Sequence, residues 1–249
     1  MDLSEKVALV TGGSRGIGRS TSRMLAQRGA RVAVNFSHNA EAAHQVVELI
    51  GEMGGEAEAI QADVRDPDHV RRLVEKIVER WGRLDILINN AGMTFVMKPI
   101  AEMTWDEFAQ KLNDEMKSAF LLTQAVTAVM KNQRYGRLVY VASGLARRPA
   151  LRMAAHGSAK AALVQFARYV AQEYGPFGIT ANVISPGLVR TEATVFLSDE
   201  RLAQVASMTP LGHVATPDDV AGAIMLLVGD DARFLTGVTI PVNGGMAMD

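Results

Sequence analysis

The chain has 249 residues, 48% of them hydrophobic, enough to bury one sizeable core in a single domain spanning residues 1–249. Its 26 basic and 27 acidic residues leave a formal net charge of −1 and lie scattered without blocks, which excludes the basic stripe that nucleic-acid binding requires. No cysteine is present, so disulfides and thiolate metal sites are excluded; with no signal-like or membrane-length apolar run, a soluble, cytoplasmic protein is expected.

Along the chain, short apolar runs rich in β-branched residues alternate with stretches whose apolar residues recur at three- and four-residue spacing. The first run, KVALV, is followed at once by TGGSRGIGRS. There Gly12 allows a tight turn, Gly16 lets the backbone approach a pyrophosphate, and Gly18 lets the next helix pack on the strand, with free N–H groups at the helix start for phosphates. The second run, RVAVN, ends in Asn35, Phe36 and Ser37, with no carboxylate to take a ribose 2′-hydroxyl or to repel a 2′-phosphate. Arg15 and Ser37 are suited to grip such a phosphate, which favours NADP(H) over NAD(H); the alternative is that Arg15 is a solvated surface charge.

The third run, EAEAIQ, precedes Asp63, placed to accept from an adenine amino group or, alternatively, to cap the helix PDHVRRLVEKI, a task for which Asp66 is better placed. In that helix Val70, Leu73, Val74, Ile77 and Val78 form one apolar stripe. The runs LDILI, GRLVYVA, ITANVIS and GVTIPVN complete seven strands. Continuous apolar strands joined by helical crossovers predict an α/β fold, a doubly wound parallel sheet with helices on both faces. The least regular stretch, SPGLVRTEATVFLSDERLAQVASMTPLGH, is expected to serve as a mobile lid. The histidines His38, His44, His69 and His213 are isolated, so no metal site is expected.

These motifs, with NNAG at Asn89 to Gly92, GRLVYVAS ending at Ser143, GSAKAAL with Lys160, NVISPGLVRT and the terminal FLTGVTIPVNGGMAMD, fall in order over the whole chain. The sequence thereby resembles the short-chain dehydrogenase/reductase family, most of all its 3-oxoacyl-acyl-carrier-protein reductase and polyketide ketoreductase members. The resemblance implies a single-domain Rossmann fold with a seven-stranded sheet, NADP(H) as cofactor, and a carbonyl substrate carried as a thioester on a carrier protein or CoA. It places Gly12, Ser14, Arg15, Gly16, Ile17, Gly18, Asn35, Ser37, Asp63, Val64, Asn89, Ala91 and Gly92 along the cofactor, Lys160 at the nicotinamide ribose, and Pro186, Gly187, Val189 and Thr191 around the nicotinamide ring. It also implies a homotetramer built through two long helices near 104–131 and 152–174, or a mixed oligomer with a related subunit. FLLTQAVTAVM and ALVQFARYVAQ carry more apolar surface than one sheet face needs, which supports assembly.

The chain departs from the family at the catalytic set, which is Asn, Ser, Tyr and Lys. Ser143 and Lys160 keep their positions, whereas His156 stands in place of the tyrosine and Glu115 in place of the asparagine. A lysine ammonium favours a phenolate but opposes an imidazolium, so His156 alone is driven toward its neutral form. A carboxylate at Glu115 is expected to offset Lys160 and to restore a protonated imidazole as the general acid. The alternatives are redox-neutral acid–base catalysis (a dehydratase, cyclase or isomerase), a cofactor-holding subunit without turnover, and a Ser143, His156, Glu115 triad. The triad is disfavoured because the family's asparagine position lies behind the lysine. Arg147, Arg148 and Arg152 read first as solvated loop charges; with Arg134 they are also suited to an acidic carrier, although Phe177 stands where carrier-dependent relatives commonly offer a second arginine.

Overall fold

The computed structural model describes residues 2–248. Each expected run forms a strand: β1 (Val7–Val10), β2 (Arg31–Phe36), β3 (Ala57–Gln61), β4 (Ile86–Asn89), β5 (Gly136–Val141), β6 (Ile179–Pro186) and β7 (Thr239–Val242). Neighbouring strands are all parallel, in the order β3-β2-β1-β4-β5-β6-β7. Successive side chains enter opposite layers: Val7 and Leu9 of β1 join one core, Ala8 and Val10 the other. Strands buried on both faces therefore read as unbroken apolar runs.

Parallel strands need crossovers, and the helices provide them. The helices α1 (Gly16–Gln27), α2 (Ala40–Glu52) and α7 (Pro217–Val228) cover one face; α3 (Pro67–Trp81), α4 (Trp105–Gln133) and α5 (Ala154–Tyr174) cover the other. The α3 stripe buries Val70, Leu73, Val74 and Ile77. Asp66 caps it, accepting from the backbone N–H groups of Asp68 and His69 at 2.9 Å. Helix α4 opens with a capping box in which Thr104 and Glu107 bond each other's backbone N–H. The stretch expected to act as a lid carries a short helix, α6 (Asp199–Met208), which buries only Val205. Among the described residues no helix is long and apolar enough to cross a membrane.

Part of the apolar surface that sequence assigns to an oligomer contact is used within the chain. Leu122, Val126 and Met130 of α4 and Leu163, Ala167 and Val170 of α5 are buried in one core against the sheet. Phe120 and Tyr169 stay exposed, at 52% and 61%.

Strand order reverses at β1, whose neighbours are β2 and β4, and the crevice beyond the carboxyl ends of these strands is where an open α/β sheet receives a ligand. The loops that follow β1, β4 and β5 open there.

Candidate active site

The turn from β1 into α1 is shaped for close backbone approach. Gly12 and Gly16 have φ of 60° and 50°, conformations that side chains resist. A Cβ at Gly18 would stand 2.1 Å from the Gly12 carbonyl oxygen, so only glycine lets α1 start this near the turn. Asn90, just past β4, donates from Nδ2 to the Thr11 carbonyl at 2.9 Å and to the Gly12 carbonyl at 3.2 Å. Thr11 Oγ1 in turn accepts from the backbone N–H groups of Asn90 and Ala91. Helix α1 has no side-chain cap and no acidic residue in its first turn, so its terminal N–H groups are left for an anion. These features fit a dinucleotide pyrophosphate.

The remaining candidates divide. Ser14, Arg15 and Ile17 line the same turn, with Arg15 exposed at the start of α1. Ser37 lies partly exposed past β2, and Gln61 Nε2 donates to its carbonyl. Asn35 is turned away: its buried amide donates to the Ile60 and Ala62 carbonyls and ties β2 to β3, which removes that N–H from a 2′-phosphate site. Asp63 is gripped by Arg65, whose Nε and Nη2 donate at 3.0 and 2.8 Å, and these bonds hold its carboxyl down at about 2. Val64 is buried beside it, and Asn89 is buried at the end of β4 in register with Tyr140. Gly92 is exposed on the connection that follows. Across the crevice Pro186 ends β6, Gly187 donates to the Val242 carbonyl, and Val189 is bridged to Ala215. Thr191 approaches the glycine turn, since a Cβ on Gly16 would meet its Cγ2 at 3.3 Å.

The catalytic candidates meet between α4 and α5. Ser143 follows β5 and its Oγ accepts from the Leu145 N–H at 3.3 Å. Lys160 Nζ donates to the Val141 carbonyl and to Glu115 Oε1, both at 2.7 Å. Glu115 Oε2 accepts from Lys111 Nζ at 2.6 Å, and Lys111 also donates to the Met93 carbonyl at 2.9 Å. Lys111, Glu115 and Lys160 are 1%, 3% and 6% exposed, so the two ammonium groups and the carboxylate between them are withdrawn from water. Burial works to raise the Glu115 carboxyl, but Lys160 and Lys111 overcome it and hold the group below its ordinary value.

His156 lies in the first turn of α5, its ring stacked on Phe95 with centroids 4.5 Å apart. Its Nδ1 is buried without a hydrogen-bond partner. No bond joins it to Glu115, whose two oxygens face the lysines, so the Ser, His, Glu triad does not form.

The surroundings of the ring also oppose the expected protonated imidazole. Burial first, then Lys160 and Lys111, push the His156 ring down from 6.5 to about 4, against the weaker pull of Glu115. One carboxylate shared by two ammonium groups leaves a net positive cluster, and the positive end of α5 adds to it. His156 is therefore a neutral imidazole at pH 7. An unfilled buried acceptor costs less than an unfilled buried donor, which favours the tautomer with its proton on Nε2.

This shift has a stability consequence. Because the folded value lies below the unfolded one, the unfolded chain binds the extra proton first, and His156 costs the fold stability as pH falls from 6.5 to about 4. Replacing it in His156→Phe is expected to relieve about 2 kcal/mol of that acid loss while leaving stability at pH 8 nearly unchanged. Thermal melts of both proteins across this range check it; parallel curves would refute the buried neutral ring.

Comparison with known proteins places this geometry. The family model described as enoyl-(acyl carrier protein) reductase matches residues 12–247. The 3-oxoacyl-acyl-carrier-protein reductase FabG of Staphylococcus aureus is 38% identical over 247 residues, 98% of either chain. That of Escherichia coli is 34% identical over 250 residues, covering all of both chains. A solved short-chain dehydrogenase/reductase variant from Serratia marcescens superposes with a TM-score of 0.91 at 32% identity over 99% of each chain. The chain belongs to the short-chain dehydrogenase/reductase family.

In this short-chain dehydrogenase/reductase the residues that sequence reasoning missed are Thr11, Asn90, Phe95 and Lys111. Lys111 alone had a legible signal, its four-residue spacing to Glu115 on α4. Asn90 stands beside Asn89, and nothing in the motif says which of the two ties the glycine turn. Phe95 lies on an irregular connection, outside any periodic pattern.

Proposed function

We propose that the protein is an NADP(H)-dependent reductase of 3-oxoacyl thioesters in which a neutral His156 and Ser143 act as hydrogen-bond donors to the substrate carbonyl. The observation that carries this reading is the Lys160 ammonium, bonded to the carbonyl of Val141 two residues before Ser143, which holds it at the end of β5 although the phenol is gone. The full-length similarity to FabG reductases, whose names give a 3-oxoacyl-acyl-carrier-protein as substrate, supports the substrate class.

The glycine turn and the N-terminus of α1 would hold the pyrophosphate, and Arg15 with Ser37 the 2′-phosphate. When bound, the cofactor supplies the hydride. Ser143 Oγ–H and His156 Nε2–H then stabilise the negative charge that grows on the carbonyl oxygen. A neutral imidazole has no acidic group with a pKa near the working pH, so it is a poor general acid and is assigned hydrogen bonding to the growing alkoxide. Lys160 has two described protein partners, which leaves one N–H of its ammonium to serve as the proton source. Exposed Phe120 and Tyr169 are the contacts we propose for assembly through α4 and α5.

NADPH oxidation with an acetoacetyl thioester tests the reading: turnover is expected, and its rate should not climb as pH falls from about 7.5 to 5.5, since the ring stays neutral there. Loss of the thioester without NADPH consumption would instead support a redox-neutral reading, which the neutral imidazole favours. Arg15→Ala is expected to weaken NADPH by about 10- to 100-fold and NADH little, as a charge-assisted phosphate contact would. Calorimetric titration checks this; equal loss for both cofactors removes Arg15 from the 2′-phosphate.

A further inference from the structure

We infer that Lys111 is a positioning residue: from behind the site it clamps the carboxylate of Glu115 and the carbonyl of Met93, and so holds the His156 ring under Phe95 as an uncharged hydrogen-bond donor. The inference rests on the reductase reading for its purpose and on geometry for its content.

Three contacts define the clamp. Lys111 Nζ donates to Glu115 Oε2 at 2.6 Å, one helical turn along α4. It donates to the Met93 carbonyl at 2.9 Å, which anchors the connection after β4 two residues before Phe95. It also stands 5.6 Å from the centroid of the Phe95 ring, whose stacking partner at 4.5 Å is His156. Lys111 thus reaches the imidazole by two routes, through the carboxylate that balances Lys160 and through the ring that fixes the plane of the imidazole. At 1% exposure it cannot meet a substrate, which makes it a support and not a reacting group.

Charge counting explains why this support exists. Lys160 alone gives the site one positive charge. Glu115 by itself would cancel that charge and leave only burial to oppose a proton on the imidazole. Adding Lys111 returns the cluster to one net positive charge, so Lys111 and Glu115 enter as a neutral pair. The charged groups acting on the ring are Lys160 on its own helix and Lys111 and Glu115 on α4, while the stacked Phe95 carries none. Burial of the ring acts in the same direction as the two lysines, toward the uncharged form.

The test is a histidine side-chain NMR titration of the whole chain, with His156 assigned by its loss in His156→Phe. In the unmodified protein the His156 signal is expected to hold still from pH 8 to about 5. In Lys111→Met it should titrate about one unit or more higher and lose the ring-current shift that Phe95 imposes. In Lys111→Met with Glu115→Gln, which removes the neutral pair together, it should titrate with the unmodified protein again. A Lys111→Met signal that follows the unmodified one overturns the inference, and so does a double variant displaced as far as the single. Should Lys111→Met not fold, Lys111→Arg and the double variant carry the test: both must titrate with the unmodified protein, and either one titrating a unit higher overturns the inference. The measurement uses no substrate and no cofactor. An absence of ketone reduction would therefore remove the proposed activity without touching this result.

Discussion

Glu115→Gln is expected to lower stability by about 3–5 kcal/mol at pH 7, because it strands two ammonium groups in a site from which water is excluded. Lys111 and Lys160 both bond the lost carboxylate, at 2.6 and 2.7 Å, and neither has an exposed route by which to rehydrate its charge. For a chain of this size the loss corresponds to a fall in Tm of about 10 °C. The effect has a signed pH dependence. Burial, working against Glu115, already holds Lys111 below its ordinary value, and without the carboxylate it falls further. Over the pH range between the folded and unfolded lysine values the unfolded chain binds more protons, so the variant should regain stability as pH rises toward the ordinary lysine value of 10.5. Denaturant titrations at pH 7 and 9.5 check both claims. A penalty below about 1 kcal/mol that does not change with pH would show that the two lysines share no buried field with Glu115.

The second large effect concerns the reaction. Restoring a phenol in His156→Tyr and an amide in Glu115→Asn recreates the family's catalytic set, yet this pair of changes leaves Lys111 without its carboxylate. The double variant is therefore expected to be unstable in the manner of Glu115→Gln. Adding Lys111→Met removes the stranded charge and leaves Lys160 facing a phenol whose ionised form it favours. The triple variant should reduce an acetoacetyl thioester about a hundred- to ten-thousand-fold faster than the unmodified protein in kcat/KM, the range a positioned general acid supplies. Steady-state NADPH oxidation, with folding verified by melting, is the measurement. Equal rates in the triple variant and the unmodified protein would mean that proton donation at position 156 does not limit the reaction.

Both predictions depend on how the two long helices face each other, and this divides what the sequence by itself determined from what only the tertiary structure decided. The seven strands and the crossover helices follow from local periodicity, and with them the expectation of a parallel sheet: an apolar run such as ILIN of β4 reads as doubly buried wherever it sits, and the α3 stripe needs only a 3.6-residue repeat. The backbone demands at Gly12, Gly16 and Gly18 were equally legible, because a turn between a strand and a helix constrains its backbone within a few residues, and the thirteen- and four-residue steps from Ser143 to His156 to Lys160 ride on one strand–turn–helix unit. The charge state of His156 was not legible. It depends on the sum of fields from groups 45 residues apart in sequence, Lys160 and Glu115, and on whether the Lys111 and Glu115 pair on α4 faces water or the interior. Electrostatic interaction falls with distance in space and grows as water is excluded, and neither quantity is a property of spacing along a chain. The same holds for Asn35, which stands near the end of a strand as a cofactor ligand would but spends its amide N–H across the neighbouring strand, a contact that exists only once β2 and β3 lie side by side.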